Sequence, residues 1–294
     1  VPGLELRPRL ASEIVDGAFQ LYRRHFVALA TLSAIIFAPS VILQLLLMGG
    51  GDAPVGAAEA VILVVLAWVF SSIADAAVVM SVSNSYLHDD PDAGSALRST
   101  LSRLGTVLLA VTAKWAIIGA GVGVAAAGMA IVSALVLSAS AAAGAPAPTL
   151  LISFAIVMLM ALLSLPFALY FYARYFAVPA TVMLEGVGVR AGLRRSAHLS
   201  RGFKGKVLAA LGLSTLLLLI MQMVLGAAFQ LLPGPSVIGF LLGQCVTVIA
   251  YPLISVIATL LYYDARIRKE GFDITVMAAE LGAPAVPAPD SPPA

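Results

Sequence analysis

Apolar residues in this chain do not alternate with polar ones; they gather into six long blocks, at 27–48, 60–80, 106–134, 149–173, 207–232 and 236–263. Each block reaches or exceeds the roughly 20 residues that an α-helix needs to cross a lipid bilayer. Shorter stretches with mixed, helically spaced residues precede the odd-numbered blocks. Over 10–26, Glu13, Asp16, Gln20 and Arg23 share one face while Ile14, Ala18 and Leu21 share another, which predicts an amphipathic helix at a membrane surface. Ser12 reads as its N-cap, Glu13 suits its positive start, and Arg23 and Arg24 suit its end. Asp90 and Pro91 read as the N-cap and first position of a second such helix, with Ala93, Ala96, Leu97, Leu101 and Leu104 on its apolar face and Arg103 at its end. A third is predicted within Glu185–Lys206, where Val189, Leu193 and Ala197 form the apolar stripe.

The pattern therefore predicts an all-α polytopic membrane protein with six transmembrane helices. They form three hairpins, each led by a cytoplasmic interfacial helix, over about 10–80, 90–173 and 187–263. Pro39, Pro166 and Pro252 fall inside the first, fourth and sixth spans, where kinks are expected. The third block is longer than one crossing requires and carries Gly119, Gly123 and Ala127 at four-residue spacing. Small residues so placed predict close helix packing, because lipid gives apolar helices no hydrophobic reason to associate. Residues 138–148 read as an outer loop. The chain divides into an N-terminal cytoplasmic segment (1–26), a membrane domain (27–263) and a cytoplasmic tail (264–294), Ala/Pro-rich and expected to be disordered beyond about 281.

Composition agrees with the pattern: 61% hydrophobic and 11% charged residues, against about 25% charged in soluble domains. Charge placement adds the orientation. The segments 49–59, 138–148 and 233–235 hold no Lys or Arg, whereas sixteen of seventeen lie in the N-terminal segment, the second amphipathic helix, Arg174–Lys206 and the C-terminal tail. The exception is Lys114. By the positive-inside bias both termini are expected in the cytoplasm. Thirteen arginines against four lysines, with abundant alanine, point to a bacterial source and thus to the inner membrane. The single cysteine, Cys245, excludes an intramolecular disulfide and a Cys-based metal cage.

Candidate chemistry is sparse. No G-x-S-x-G, H-E-x-x-H or C-x-x-C occurs, so the expectation is no enzyme, no cofactor and no metal. His88, Asp89, Asp90 and Asp92 cluster, but a capped helix start accounts for them. Glu185 and His198 are close enough in sequence to approach one another. Asp75 and Lys114 stand alone as intramembrane charges in consecutive spans, near the same side, and are expected to pair. Gln44, Gln222, Gln230 and Gln244 either line a polar cavity or bond between helices. Arg190, Arg194, His198 and Arg201, at i, i+4, i+8 and i+11, form one basic stripe, with Arg195 beside it. Guanidinium forks suit phosphate groups, so these residues are the candidate site for anionic lipid headgroups. Nucleic acid is not an expected partner; membrane lipids, a membrane-protein partner or a second copy are.

Two segments, LEGVGVRAGLRRSAHLSRG and LLYYDARIRKEGFD, resemble the signature ends of the glycerophosphoryl diester phosphodiesterase membrane-domain family. The matching positions are Glu185, Arg194, Arg195, Ser196 and Gly202 in the first, and Tyr262, Tyr263, Asp264, Arg266, Glu270 and Gly271 in the second. The resemblance implies a multi-pass membrane module standing alone, since only a short tail follows the sixth span and no phosphodiesterase barrel is present. The expected function is a non-enzymatic lipid-interacting or partner-docking scaffold. The alternative is a small-solute or lipid transporter with a polar path between the hairpins.

Overall fold

The computed structural model describes residues 9–48, 56–88, 93–142, 148–230, 237–272 and 274. They form α1 (Ala11–Arg24), α2 (Phe26–Met48), α3 (Ala57–His88), α4 (Ala93–Ser102), α5 (Leu104–Ala142), α6 (Pro148–Arg174), α7 (Val178–Leu184), α8 (Val189–Leu199), α9 (Lys204–Gln230) and α10 (Val237–Glu270). No strand occurs among the described residues. Six stretches are long and apolar enough to cross a membrane, and they fall in α2, α3, α5, α6, α9 and α10. The fourth runs from Leu165 through the break after α6 to Leu184 at the end of α7. The chain is an all-α multi-pass membrane protein.

The helices pair as α2–α3, α5–α6 and α9–α10, each pair led by a short amphipathic helix, α1, α4 or α8. Single residues, His25 and Arg103, separate α1 from α2 and α4 from α5. Backbone bonding continues across both breaks, from Leu29 N–H to the His25 carbonyl (3.1 Å) and from Val107 N–H to the Arg103 carbonyl (3.0 Å). Helix α7 has no counterpart in this threefold order. Its residues Val178–Met183 are all buried, packed on α3, α5 and α8.

Several boundaries move from the sequence expectation. Helix α1 begins at Ala11, before Ser12, because the Glu13 carboxylate accepts the Leu10 N–H (2.7 Å) and satisfies the helix start from its first turn. Residues 138–142, expected in a loop, continue α5, consistent with the high helix propensity of alanine. Helix α3 runs on to His88; the Ser85 hydroxyl donates to the Ser81 carbonyl (2.8 Å), so a polar residue is satisfied inside the helix. Asp89, Asp90, Pro91, Asp92 and the tail beyond 274 lie outside the described residues. A Cβ on Gly119 or Gly123 would meet nothing within 4 Å among the described residues, whereas one on Gly121 would overlap the Phe167 ring of α6.

Burial is uneven along the spans. Buried residues occupy the first part of α2 (Leu29–Ser40), the last part of α3 (Ser72–Ser85), the start of α5 (Val107–Ile118), the start of α9 (Val207–Ser214) and the last part of α10 (Pro252–Ile267). All these segments lie at the end where α1, α4, α7 and α8 are found. Leu46, Val61, Val64, Leu159, Met223 and Leu241, toward the other end, are exposed and suited to lipid contact. The bundle is thus closed at its basic end, where polar groups supply the directional contacts that apolar helices in lipid lack.

Candidate functional site

Helix α8 is fixed to the bundle by its small and polar face. Gly192, Ser196, Ala197 and Leu199 are buried. The Ser196 hydroxyl donates to the Arg174 carbonyl and accepts the Ala177 N–H, both at 3.2 Å, which ties α8 to the break between α6 and α7. Thr181 in α7 donates to the Gly192 carbonyl (3.3 Å). The turn into α8 passes through Gly186 at φ 67°, with the Arg103 guanidinium packed 2.6 Å from where a Cβ would stand. A left-handed conformation costs a non-glycine residue about 1–2 kcal/mol, and here the side chain would also displace Arg103.

Arg195 departs from its neighbours. Its Nε donates to both Glu185 oxygens (3.0 and 2.8 Å) and its Nη2 donates to Glu270 Oε2 (2.8 Å). Arg266 donates to Glu270 (3.1 Å) and to the Tyr262 hydroxyl (3.3 Å), and that hydroxyl donates to Glu185 Oε1 (2.9 Å). Glu185, Arg195, Glu270, Arg266 and Tyr262 therefore form a closed, charge-balanced ring. It joins the loop before α8, helix α8 itself and the end of α10. Glu185 is committed to Arg195 and Tyr262, with no hydrogen bond to His198 among the described residues.

A second cluster lies alongside. The Asp264 carboxylate, 5% exposed, accepts from the Arg9 N–H (2.8 Å), Lys206 (2.5 Å) and Arg268 (3.2 Å). Lys206 and Arg268 also donate to the Arg9 carbonyl. Tyr263 shares a 2.6 Å hydrogen bond with Ser83 of α3. The residues that carry the family resemblance in 262–270 are thus occupied in joining the N-terminus, α3, α8, α9 and α10.

The remaining stripe residues face outward. Arg190, Arg194, His198 and Arg201 are exposed, and none of them forms an ion pair among the described residues. Arg201 lies in the turn beyond the end of α8. Lys269 caps the same end, donating to the His198 carbonyl (2.6 Å). Partial desolvation, then the neighbouring cations Lys269, Arg195 and Arg201, hold the His198 imidazole below its ordinary range, against a weaker pull from Glu270. Cations crowded this way leave an open demand for negative charge.

Asp75 and Lys114 meet less directly than the sequence implies. They line one cavity of about 50 Å³ with Tyr172, Phe176, Ser255 and Thr259, but no direct ion pair joins them among the described residues. Asp75 Oδ1 instead accepts the Tyr251 hydroxyl (3.0 Å) and the Ser255 hydroxyl (2.6 Å). The Lys114 ammonium lies 5.3 Å from the ring centres of both Trp115 and Tyr172. The glutamines are placed elsewhere. Gln222 bonds Thr247 (2.9 Å) and Gln244 bonds Gln44 (3.3 Å), while the Gln230 side chain lies outside the described residues. Gln244 borders a separate groove of about 640 Å³ between α2 and α10, lined mainly by Ala, Val, Leu and Ile.

Sequence reasoning located the stripe and both intramembrane charges. It missed the ring, the Asp264 cluster and the hydroxyl partners of Asp75, whose residues lie 58 to 259 positions apart for the long-range bonds. The one available signal was the density of paired charges in 262–270, which a surface tail does not require. Compared with family models, curated proteins and solved structures, the chain matches none.

Proposed function

We propose that this chain is a non-enzymatic, lipid-interacting scaffold of the bacterial inner membrane, with both termini cytoplasmic. On this reading it is a membrane module of the glycerophosphoryl diester phosphodiesterase membrane-domain type. Its basic end takes anionic lipid headgroups through Arg190, Arg194, His198 and Arg201. The observation that carries the reading is the division of α8. Arg195 turns inward to two carboxylates, whereas the next arginine back, Arg194, is exposed without an ion pair among the described residues. Orientation alone does not require a rigidly docked helix that presents a row of cations. The distribution of polar groups supports a scaffold over a transport path, since Asp75, Gln222 and Gln244 do not share a cavity among the described residues.

Two measurements test this. A cytoplasmic-type reporter fused to the C-terminus is expected to be active, and periplasmic-type reporters at Ala53 and Ala142 likewise; an active periplasmic-type reporter at the C-terminus overturns the orientation. For headgroup binding, the wild type and Arg190→Gln/Arg194→Gln/Arg201→Gln are compared in nanodiscs that mix a zwitterionic and an anionic phospholipid. Each cation near an anionic surface contributes about 1 kcal/mol, so the triple variant should retain much less anionic lipid. Wild-type binding should weaken with salt, the Debye length being about 8 Å at physiological ionic strength. An anion beside His198 raises its depressed proton affinity, so binding should strengthen as pH falls through the histidine range. A correctly inserted variant with unchanged lipid selectivity and salt dependence reduces the stripe to a topology signal.

A further inference from the structure

The Asp75–Lys114 cavity brings two opposite charges to one small shared space without a direct ion pair between them among the described residues. Lys114 is 8% exposed. An ammonium carries three donors, yet Lys114 has no hydrogen-bond acceptor among the described residues, only the faces of Trp115 and Tyr172. Asp75 is half satisfied. Oδ1 takes both hydroxyl donors, Tyr251 and Ser255, while Oδ2 has no donor among the described residues. A buried ammonium and a carboxylate oxygen in this condition are costly unless something bonds to both. The cavity they line, about 50 Å³, has room for about one to three waters, and Asp75, Lys114, Tyr172 and Thr259 in its otherwise largely apolar lining supply polar partners.

We propose that this cavity is a hydrated proton-exchange site within the membrane bundle, with Asp75 as the carboxyl that takes up and releases the proton. Cavity water accepts from Lys114 and donates to Asp75 Oδ2, bridging the pair. In uptake, a hydronium in the cavity gives its proton to Oδ2, leaving a neutral carboxylic acid and water; release is the reverse. Oδ1 keeps its hydroxyl donors throughout. The site alternates between net zero and net +1, and the retained Lys114 charge favours release. The groups facing Asp75 are Lys114 from α5, Tyr172 from α6, and Tyr251 and Ser255 from α10. Helices α7 and α9 contribute only apolar walls, Pro179, Ala180 and Leu211. Because Asp75 joins α3 to α10 through those hydroxyls, its protonation weakens a contact between two hairpins and makes their packing responsive to pH.

The test is infrared difference spectroscopy of the full chain in nanodiscs across a pH titration, in light and heavy water. The wild type should develop a carboxyl C=O band on acidification that shifts in heavy water, and Asp75→Asn should lose that band. Lys114→Met removes the opposing charge and should move the band's midpoint to higher pH by about one unit or more. Ser255→Ala removes a donor that favours the carboxylate and should move it the same way, which keeps the test decisive if Asp75→Asn does not fold. A band equal in the wild type and Asp75→Asn, or a midpoint indifferent to both Lys114→Met and Ser255→Ala, overturns the proposal and leaves a fixed, water-bridged structural pair.

Discussion

Asp264→Ala is expected to destabilise the protein by about 3–5 kcal/mol, the range for removing one member of a buried ion cluster. Asp264 is 5% exposed and is the anion between Lys206 and Arg268, at 2.5 and 3.2 Å. Both cations also donate to the Arg9 carbonyl, and the Arg9 N–H donates to Asp264 itself. Without the carboxylate, two positive charges converge on one backbone oxygen and a buried N–H loses its acceptor. Asp264→Asn keeps an acceptor of the same shape and should lose roughly half as much, since hydrogen bonds to charged groups contribute about 1.5–3 kcal/mol against about 1 for neutral ones. Equilibrium unfolding in detergent micelles checks this. Losses below about 1 kcal/mol for both variants would mean that solvent screens the cluster as it screens surface pairs.

The parts of this architecture that were legible in the sequence are those with a local cause. A run of about 20 apolar residues specifies a span without reference to any other part of the chain. The amphipathic face of α1 was equally local: Ile14, Ala18 and Leu21 are buried and Asp16, Gln20 and Arg23 exposed, as the spacing predicts. What was not legible depends on partners distant in sequence. Arg195 sits beside Arg194 in the chain, but on a helix consecutive residues point about 100° apart. Only the carboxylates at Glu185 and Glu270 decide which of the two turns inward. Helix α7 escaped because Val178–Leu184 is too short to register as a span and lies within Arg174–Lys206, which its charges assign to the cytoplasmic side. The α5 glycine that packs on a described ring lies off the expected ladder for a related reason. Four-residue spacing marks a face without saying which residue on the facing helix is large, and the Phe167 ring selects Gly121.

Depth along a span was legible too, but geometry was not. Asp75 and Lys114 reach the same cavity, as their positions near one end of consecutive spans imply. That they face it without direct contact follows from Tyr251 and Ser255, 176 and 180 residues from Asp75, which hold the carboxylate against α10. In a bilayer, where apolar packing discriminates weakly between neighbours, such hydroxyl–carboxylate contacts define which hairpins lie together. The same principle governs the basic end, where nearly every inter-element hydrogen bond involves a charged or hydroxyl-bearing residue.

The ring around Arg195 supplies the other large expected effect. Arg195→Met should cost about 3 kcal/mol, the low end of the range for breaking a buried pair because the arginine side chain is 28% exposed. The loss leaves Glu185 and Glu270 with Arg266 as their remaining guanidinium partner in the ring, and that partner reaches only Glu270 directly. Glu185 would then hold a charge with the Tyr262 hydroxyl as its hydrogen-bond donor. Arg195→Lys should recover less than half the loss, since one ammonium cannot span two carboxylates as a planar fork does. Arg194→Met, one residue away and exposed, should stay within about 0.5 kcal/mol of wild type. A double-mutant cycle with Glu185→Gln separates the pair from its surroundings, and the coupling should be about 1–3 kcal/mol. The two arginines also divide by readout: Arg195→Met should lower stability whether or not anionic lipid is present, whereas Arg194→Met should change only lipid retention. Equal stability losses at the two positions would show that the ring does not hold α8 to α10, and a coupling near zero that the Arg195–Glu185 contact adds nothing to it.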